Sequence, residues 1–305
     1  MYMEYTLPLS VGKKYKDTYI NNLNTLTFNG NKTILFAADQ RIEHGISSFL
    51  GPNISKDDIS TEHFFRIASK AKISALATHI GFINKYAMSY PNVNYLVKLN
   101  SITHLVKENF GYVQSKNLCA VDQVVSLQKE SNLNIVGVGY TVYLGIKDES
   151  KILKEASQNI LKAHSYGLPV ILWIYPKPKK EKEDSLEKVS DAVMVGEALG
   201  ADFIKVKHPI KGKIATEKLI KIVTKAAGRS RVLISGGSSI NEHKFIEQAY
   251  KNVYEGGAAG VAVGRNIHQK PLHKAVEFCD QLYKTIIQGE ELGLDTNAIG
   301  VRSII

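Results

Sequence analysis

The sequence is poor in the features that mark secreted, zinc-bound or membrane proteins. Its 305 residues include only two cysteines, Cys119 and Cys279, which stand far apart without a CxxC pair or a Cys/His cluster. This pattern excludes a disulfide framework and a structural zinc site. No apolar run approaches the length of a membrane span, and the first ten residues do not resemble a secretion signal. We therefore expect a soluble, cytoplasmic protein with no membrane partner.

The excess of positive charge lacks the pattern of a nucleic-acid-binding protein. The formal net charge is +10, but the lysines are spread through nearly every segment and no recognition motif with interleaved aromatic residues is present. The densest cluster, Lys177–Lys182, is followed at once by Glu183 and Asp184. A basic balance of this kind suits an anionic small molecule such as a sugar phosphate. We expect a small-molecule partner and no nucleic acid.

Short apolar, β-branched runs recur along the chain, and each is followed by room for a helix. Eight such units in about 255 residues predict a (β/α)8 TIM barrel of the α/β class. The alternative, an open doubly wound sheet, usually has a Gly-rich turn after its first strand, where this chain has Ala38–Gly45. The predicted strands are Thr33–Ala38, Ile73–Thr78, Tyr95–Leu99, Ile135–Val142, Val170–Tyr175, Asp202–Lys207, Arg231–Ser235 and Gly260–Val263.

No Pro/Ser-rich linker or block of charge divides the barrel region, so we predict one catalytic domain over residues 33–287. Residues 1–32 form an N-terminal extension with a helix near Lys14–Leu26, and residues 288–305 form a tail. Helical periodicity between the strands predicts that Gly200 and Gly228 end two helices, and places Ile222 and Cys279 on buried helix faces.

Two lysines in the sixth predicted strand are the most informative pair. Side chains alternate along a strand, so Lys205 and Lys207 share one face while Ile204 and Val206 take the other. If the lysines face the barrel interior, each disfavours the charged form of the other and burial adds to the effect, which produces a nucleophilic amine. The alternative is a charged edge strand with two solvated lysines.

Polar residues follow several predicted strands at the end where TIM barrels carry their chemistry. Asp39 follows strand one, and Tyr175 with Lys177 ends strand five. The loops after strands seven and eight hold glycines and an arginine, which suit phosphate binding better than plain turns. These loop residues are Ser235, Gly236, Gly237, Gly264 and Arg265.

Six motifs, in this order, resemble the archaeal-type class I fructose-bisphosphate aldolases, the DhnA and FbaB type, over roughly residues 33–287. The motifs are Ala38–Gly45, Val138–Tyr143, Trp173–Pro176, Gly200–Lys207, Ser235–Gly237 and Ala262–Asn266.

The resemblance implies a role for each site residue. It assigns the Schiff-base nucleophile to Lys205, proton transfer to Tyr175 and support of the substrate or intermediate to Asp39. Taken without it, Tyr175 could be an ordinary tyrosine at a strand end, and Asp39 a turn or helix-cap residue. The substrate and its phosphates are assigned to Lys177, Lys207, Ser235, Gly236, Gly237, Gly264 and Arg265. The resemblance also implies a homo-oligomer, and neither metal nor organic cofactor is expected.

The expected function is therefore a class I aldolase that splits fructose 1,6-bisphosphate into glycerone phosphate and glyceraldehyde 3-phosphate. Alternatives are a related aldolase, transaldolase or thiolase acting on another ketose phosphate, and a barrel that binds sugar phosphate without catalysis. The chain departs from the family pattern where it has Gln40-Arg41 for His-Gly, Lys177-Pro178 for Arg-Gly and Ser238-Ser239 for Pro-Lys. These departures leave the recognition of a second phosphate open.

Overall fold

A closed barrel of eight parallel strands forms the centre of the computed structural model, which describes residues 7–30, 32–103, 105, 115–177, 182–237 and 241–290. The first strand pairs with both the second and the last, so the barrel sheet has no free edge. The strands are β1 (Thr33–Ala37), β2 (Ala75–His79), β3 (Tyr95–Lys98), β4 (Ile135–Leu144), β5 (Val170–Pro176), β6 (Phe203–Val206), β7 (Arg231–Ser235) and β8 (Gly260–Val263). Each lies within two residues of its predicted ends, which confirms the TIM barrel.

Helices connect the strands and cover the outside of the barrel. The α-helices are α1 (Lys16–Leu26), α2 (Gln40–Glu43), α3 (Glu62–Ala68), α4 (Ile80–Tyr86), α5 (Val121–Ser131), α6 (Glu149–His164), α7 (Leu186–Ala198), α8 (Thr216–Ala226), α9 (Glu242–Tyr254), α10 (Arg265–His268) and α11 (Leu272–Ile286). Short 3₁₀ helices span Lys13–Tyr15, Ile46–Ser48, Lys56–Ile59 and Ala87–Ser89, and Asn100–Ser101 pairs antiparallel with Lys116–Asn117. Within these described segments, no helix combines the length and apolar character needed to cross a membrane.

Most of the predicted helix faces are confirmed. Gly200 and Gly228 follow α7 and α8 with φ of +89° and +56°, the left-handed conformation that ends many helices. Cys279 is fully buried in α11, as predicted. Ile222 is an error, because its side chain is half exposed while Ile220 is buried instead. The face of α8 that meets the barrel is therefore rotated toward Ile220.

Helix α1, predicted near Lys14–Leu26, closes the N-terminal end of the barrel. Tyr19, Leu23 and Leu26 are buried and pack with the apolar side chains that point into the barrel. Those inward-pointing side chains include Leu35, Ala75, Ala77, Leu96, Val136, Ile171, Trp173, Phe203, Leu233 and Ala262. The interior is thus filled at this end, and only the opposite end is available for a ligand.

A buried polar network fixes α1 to this end of the barrel. The Tyr19 hydroxyl donates a hydrogen bond to the Asp202 carboxylate, whose other oxygen lies 2.9 Å from Nε2 of His164 and accepts from the Val170 amide at 2.7 Å. The Ser10 hydroxyl lies 2.7 Å from Nδ1 of the same histidine. Because buried polar groups need partners, this network specifies how the helix docks.

We predict that Leu26→Ala lowers the free energy of unfolding by about 2–5 kcal/mol, the usual cost of a cavity at a fully buried leucine. Chemical denaturation monitored by circular dichroism measures the change. Leu9→Ala is the matched control, because Leu9 is fully exposed and its truncation should change the free energy by less than about 0.5 kcal/mol. Equal stability of the two variants would show that α1 does not contribute to the barrel core.

Candidate active site

The carboxyl ends of the strands surround an open cleft of about 560 Å³. Every predicted site residue lines it, so the structure brings all of them together. They are Asp39, Tyr175, Lys177, Lys205, Lys207, Ser235, Gly236, Gly237, Gly264 and Arg265. The same cleft is also lined by Gln40, Glu43, His44, Tyr143, Trp173, Asp184, His208, Ile210 and Ala262. Chemistry at this end of a barrel is the rule for the fold.

Lys205 lies on β6 at the bottom of the cleft, with only 6% of its surface exposed. Its ammonium nitrogen is 5.2 Å from the centre of the Trp173 ring, which belongs to the residue paired with it on β5. No hydrogen bond or ion pair to Nζ is formed within the described part of the chain. Burial lowers the pKa of Lys205 to about 8; Lys98 and Arg265 act in the same direction, while Asp39 and Glu43 oppose them. A substantial fraction of the amine is therefore neutral and nucleophilic near neutral pH.

Lys207 does not have the effect on Lys205 that the sequence suggested. It follows the last residue of β6, its side chain is 45% exposed, and its ammonium nitrogen lies 2.6 Å from Oε2 of Glu183. The expectation that Lys207 lowers the pKa of Lys205 is therefore wrong. A lysine on another strand, Lys98 of β3, takes that role.

The cluster of Asp39, Glu43 and Lys98 lies beside Lys205. Nζ of Lys98 is 3.2 Å from Oδ2 of Asp39 and 3.9 Å from Oε1 of Glu43, and it donates a hydrogen bond of 2.6 Å to the Thr141 hydroxyl. The Ser101 hydroxyl donates to Glu43 at 3.1 Å. The Lys98 side chain is completely buried, and that of Asp39 is 6% exposed.

The two carboxyl groups of this cluster are shifted in opposite directions. Burial alone would raise the pKa of Asp39, but Lys98, Lys205 and His79 together hold it below its ordinary value. For Glu43, burial dominates over the attraction of Lys98, and with the charge of Asp39 it raises the pKa. Asp39 is thus the permanent carboxylate of the pair, and Glu43 is the one poised to take up a proton.

Tyr175 lies two residues after Trp173 on β5, so both side chains point to the cleft. Its ring is partly buried, and its centre lies 6.1 Å from that of Tyr143. Burial raises the pKa of Tyr175 well above the ordinary value, and the charges of Asp39 and Glu43 add to the effect. The resting phenol is protonated and can donate a proton to a bound molecule.

The loops after β7 and β8 are joined to each other. Arg265 donates a hydrogen bond of 3.0 Å to the Gly237 carbonyl, and Asn266 donates one of 3.1 Å to the Gly236 carbonyl. At Gly264 a Cβ atom would lie 2.7 Å from the backbone carbonyl oxygen of Ala37, so no side chain fits there. Backbone and a guanidinium group are thus exposed to the cleft on one side, as a bound phosphate requires.

Lys177 and Lys207 line the cleft but share one acidic partner, in what we call the Lys177–Glu183–Lys207 cluster. The two ammonium nitrogens lie 2.6 Å from Oε1 and Oε2 of Glu183 respectively. Asp184, the next residue, lines the cleft itself. Both lysines are therefore already bound to a carboxylate, unlike Arg265, which binds a backbone carbonyl.

Comparison with known proteins identifies the family. Residues 33–270 match the DeoC/LacD family of aldolases. This chain belongs to that family. It is 44% identical over 287 residues to a fructose-bisphosphate aldolase/6-deoxy-5-ketofructose 1-phosphate synthase from Methanocaldococcus jannaschii, with 94% of this chain and 91% of the relative covered.

Solved structures support the same assignment. A fructose-bisphosphate aldolase from Slackia heliotrinireducens superposes with a TM-score of 0.91 at 37% identity, over 94% of this chain and 91% of the other. A Schiff-base-forming fructose-1,6-bisphosphate aldolase superposes with a TM-score of 0.75 at 30% identity, over 88% and 99%. The resemblance to archaeal-type class I aldolases is confirmed.

The departures of this aldolase from its family pattern have different structural consequences. Gln40 lines the cleft, whereas the Arg41 guanidinium stacks over Phe49 and Phe64 and donates to the Asp58 carbonyl at 2.6 Å. Lys177 lines the cleft with its charge compensated by Glu183. Pro178, Ser238 and Ser239 lie outside the described residues. In the part of the aldolase that is described, no three His, Cys, Asp or Glu side chains are grouped to hold a metal ion.

Sequence reasoning missed two residues that contact the centre of this aldolase site. Lys98 ends an otherwise apolar strand, and a charged side chain in that position of a barrel strand is a signal that could have found it. From the sequence, Glu43 could equally cap a turn or pair locally with a neighbouring residue, so nothing there assigns it to the site. Its pairing with Lys98 depends on the path of the chain after β1, which the sequence does not reveal.

We predict that the Lys205 amine of the aldolase titrates with a midpoint near pH 8, because burial disfavours the ammonium form. Competitive labelling with acetic anhydride across pH 6–11, read by peptide mass spectrometry, measures this midpoint. At pH 7 about a tenth of the amine should be neutral, against well under a thousandth for an ordinary lysine. A midpoint near 10.5 would show that the site does not desolvate Lys205.

Proposed function

We propose that this protein is a class I aldolase that cleaves and forms fructose 1,6-bisphosphate through a Schiff base on Lys205. The observation that carries the proposal is the buried Lys205 amine, facing Tyr175 and the Asp39 carboxylate in one cleft that also holds the glycine loops and Arg265. Relatives named as fructose-bisphosphate aldolases, one of them named as Schiff-base-forming, support it.

The first chemical step needs a neutral amine. Nζ of Lys205 adds to the C2 carbonyl of the ketose to give a carbinolamine, whose hydroxyl leaves as water when it is protonated. Tyr175 supplies that proton, which is consistent with its raised pKa. The product is a protonated imine, and the nearby Asp39 carboxylate stabilises its positive charge.

Bond cleavage uses the same two groups. The Tyr175 phenolate left by the first step takes the proton from the C4 hydroxyl, and the C3–C4 bond breaks toward the imine. The imine nitrogen accepts the electron pair as an enamine, so this step needs no metal ion. Tyr175 then returns the proton to C3, and hydrolysis of the imine releases glycerone phosphate and regenerates the amine.

We predict that Lys205→Ala abolishes covalent trapping of glycerone phosphate by borohydride, because it removes the amine that forms the imine. Tyr175→Phe should still form the trapped adduct, although more slowly because water must then protonate the carbinolamine hydroxyl, and should lower the rate of fructose 1,6-bisphosphate cleavage about 10²- to 10⁴-fold, the usual contribution of a positioned acid or base. Intact-protein mass spectrometry and a coupled cleavage assay with EDTA present measure the two effects.

These two variants also separate the proposal from the alternatives. A non-catalytic sugar-phosphate-binding barrel would be stabilised thermally by the ligand without forming an adduct. An adduct that still forms in Lys205→Ala and maps to Lys207 would show that Lys207, and not Lys205, is the nucleophile. Cleavage by Tyr175→Phe at the wild-type rate would show that another group transfers the proton, with Asp39 and Glu43 as the first candidates.

A second candidate activity is suggested by the Lys177–Glu183–Lys207 cluster. The M. jannaschii relative is also named as a 6-deoxy-5-ketofructose 1-phosphate synthase. Breaking the C3–C4 bond of that compound gives the same glycerone phosphate, but its other half is 2-oxopropanal, which has no phosphate. Compensation of Lys177 and Lys207 by Glu183 favours an aldehyde without charge at that rim.

We predict that Arg265→Ala raises the KM for both ketose phosphates roughly 10-fold or more with a smaller effect on kcat, because each carries the C1 phosphate that Arg265 would bind in substrate and transition state alike. Lys177→Met should raise the KM for fructose 1,6-bisphosphate alone, since only that compound has a second phosphate.

Steady-state cleavage assays with both compounds measure these parameters. Arg66→Ala, an exposed arginine on α3, is the matched control and should change neither KM. If Arg265→Ala keeps the wild-type KM for both compounds, the C1 phosphate does not bind to Arg265.

A further inference from the structure

Lys98 is a fully buried lysine that the reaction steps above do not use. It ends β3, none of its side chain is exposed, and it does not line the cleft. Its ammonium lies between the Asp39 carboxylate and the Thr141 hydroxyl, with Glu43 at 3.9 Å. A bound ketose therefore cannot reach it without displacing these groups, and any role in the reaction must act through its neighbours.

Trp173 connects Lys98 to Lys205. The centre of its ring lies 4.9 Å from Nζ of Lys98 and 5.2 Å from Nζ of Lys205, so the two nitrogens are within about 10 Å of each other. The ring occupies this place because Gly139 on β4 has no side chain: a Cβ there would lie 2.6 Å from it. Between buried groups at such a distance, repulsion is screened much less than in water.

The charged and titratable groups around Lys205 come from several elements and act in both directions. Asp39 after β1 and Glu43 on α2 favour the ammonium form, whereas Lys98 on β3 and Arg265 on α10 disfavour it. The remaining titratable neighbours that line the cleft or flank Asp39 are His44, His79, Tyr143, Tyr175, Lys177, Asp184, Lys207 and His208. Lys98 is the cation of this set that is also bound directly to Asp39.

We propose that Lys98 is a positioning residue for the aldolase reaction: it holds Asp39 as a carboxylate beside Lys205 and favours the neutral amine of Lys205. The proposal rests on the Schiff-base function proposed above and deepens it. Asp39 alone would stabilise the Lys205 ammonium as well as the later imine. The Lys98 ammonium beside Asp39 offsets the stabilisation of the Lys205 ammonium in the free enzyme. The Asp39 carboxylate remains available to stabilise the imine.

Stability alone does not account for this arrangement. Burying an ammonium group costs free energy, and replacing a buried ion pair by apolar side chains of similar volume is often neutral or stabilising. Inside a barrel otherwise packed with apolar aliphatic and aromatic side chains, a methionine would fill the space of Lys98. The charge of Lys98 is therefore better explained by a role in the reaction than by a role in stabilising the fold.

The test is the pH dependence of borohydride trapping with saturating glycerone phosphate, in the full-length wild type and in Lys98→Met, Lys98→Gln and Lys98→Arg. In the two neutral variants the pH at which trapping reaches half its maximum should rise by about one unit, because Asp39 loses its counterion and Lys205 loses a repelling charge. Trapping at pH 7 should fall about tenfold and converge with wild type near pH 10. Lys98→Arg keeps the charge and should keep the wild-type midpoint.

Lys211→Met provides the matched control, since it removes the same charge from a lysine that is paired with a carboxylate but does not line the cleft. Its pH midpoint should equal that of the wild type, because the Lys211 side chain is half exposed and its ammonium nitrogen lies 2.6 Å from Oε1 of Glu187. Tyr19→Phe, at the opposite end of the barrel, controls for loss of stability and should also leave the midpoint unchanged.

Two results would overturn the inference: neutral variants at residue 98 with the wild-type midpoint, or trapping reduced by the same factor at every pH, which is the behaviour of a purely structural residue. Met and Gln differ in shape and polarity, so a shift shared by both reports the charge. Failure of the wild type to form an adduct at any pH would instead contradict the proposed function.

Discussion

Desolvation of one ammonium group, that of Lys205, is the constraint on which the site depends. The closed barrel, the Trp173 ring and the carboxyl groups of α2 and its N-cap together leave only 6% of Lys205 exposed. Because water cannot stabilise the charged form there, the amine is partly neutral at a pH where an exposed lysine is almost wholly charged. Burial at the bottom of an open cleft is therefore the largest single cause of the nucleophilic character of Lys205.

Burial of a lysine also requires that nearby charges be balanced. Around Lys205 the structure places two carboxyl groups and a second lysine at contact distance from one another. Removing any one of them leaves an uncompensated charge in a region of low dielectric constant, which costs more than the pair contributes. The groups are consequently interdependent, and single substitutions in the cluster report on the cluster rather than on one residue.

The sequence predicts the barrel and the end that carries the chemistry, for physical reasons. Closed parallel sheets have apolar strands at regular spacing, and this spacing is visible in the sequence. An error in one helix face, such as that of α8, does not change the spacing of the strands. The same alternation predicts that Lys205 points inward. Lys207 also lines the cleft, but β6 ends at Val206, and the Lys207 side chain is partly exposed and paired with Glu183. Lys98 and Glu43 were missed since their meeting depends on two separate elements, α2 and β3, coming together in space.

The distribution of charge around the cleft relates the fold to substrate choice. On the side of β7 and β8, backbone groups and Arg265 are presented to the cleft, and Arg265 forms its hydrogen bond to a carbonyl rather than to a carboxylate. On the side of β5 and β6, Lys177 and Lys207 have the common partner Glu183. A phosphate arriving at the first side meets uncompensated positive charge, whereas one arriving at the second must compete with a carboxylate already in place. Under the proposed function, such a cleft would hold the phosphate end of a ketose phosphate at the first side, and the aldehyde half would lie against Glu183 and its two lysines.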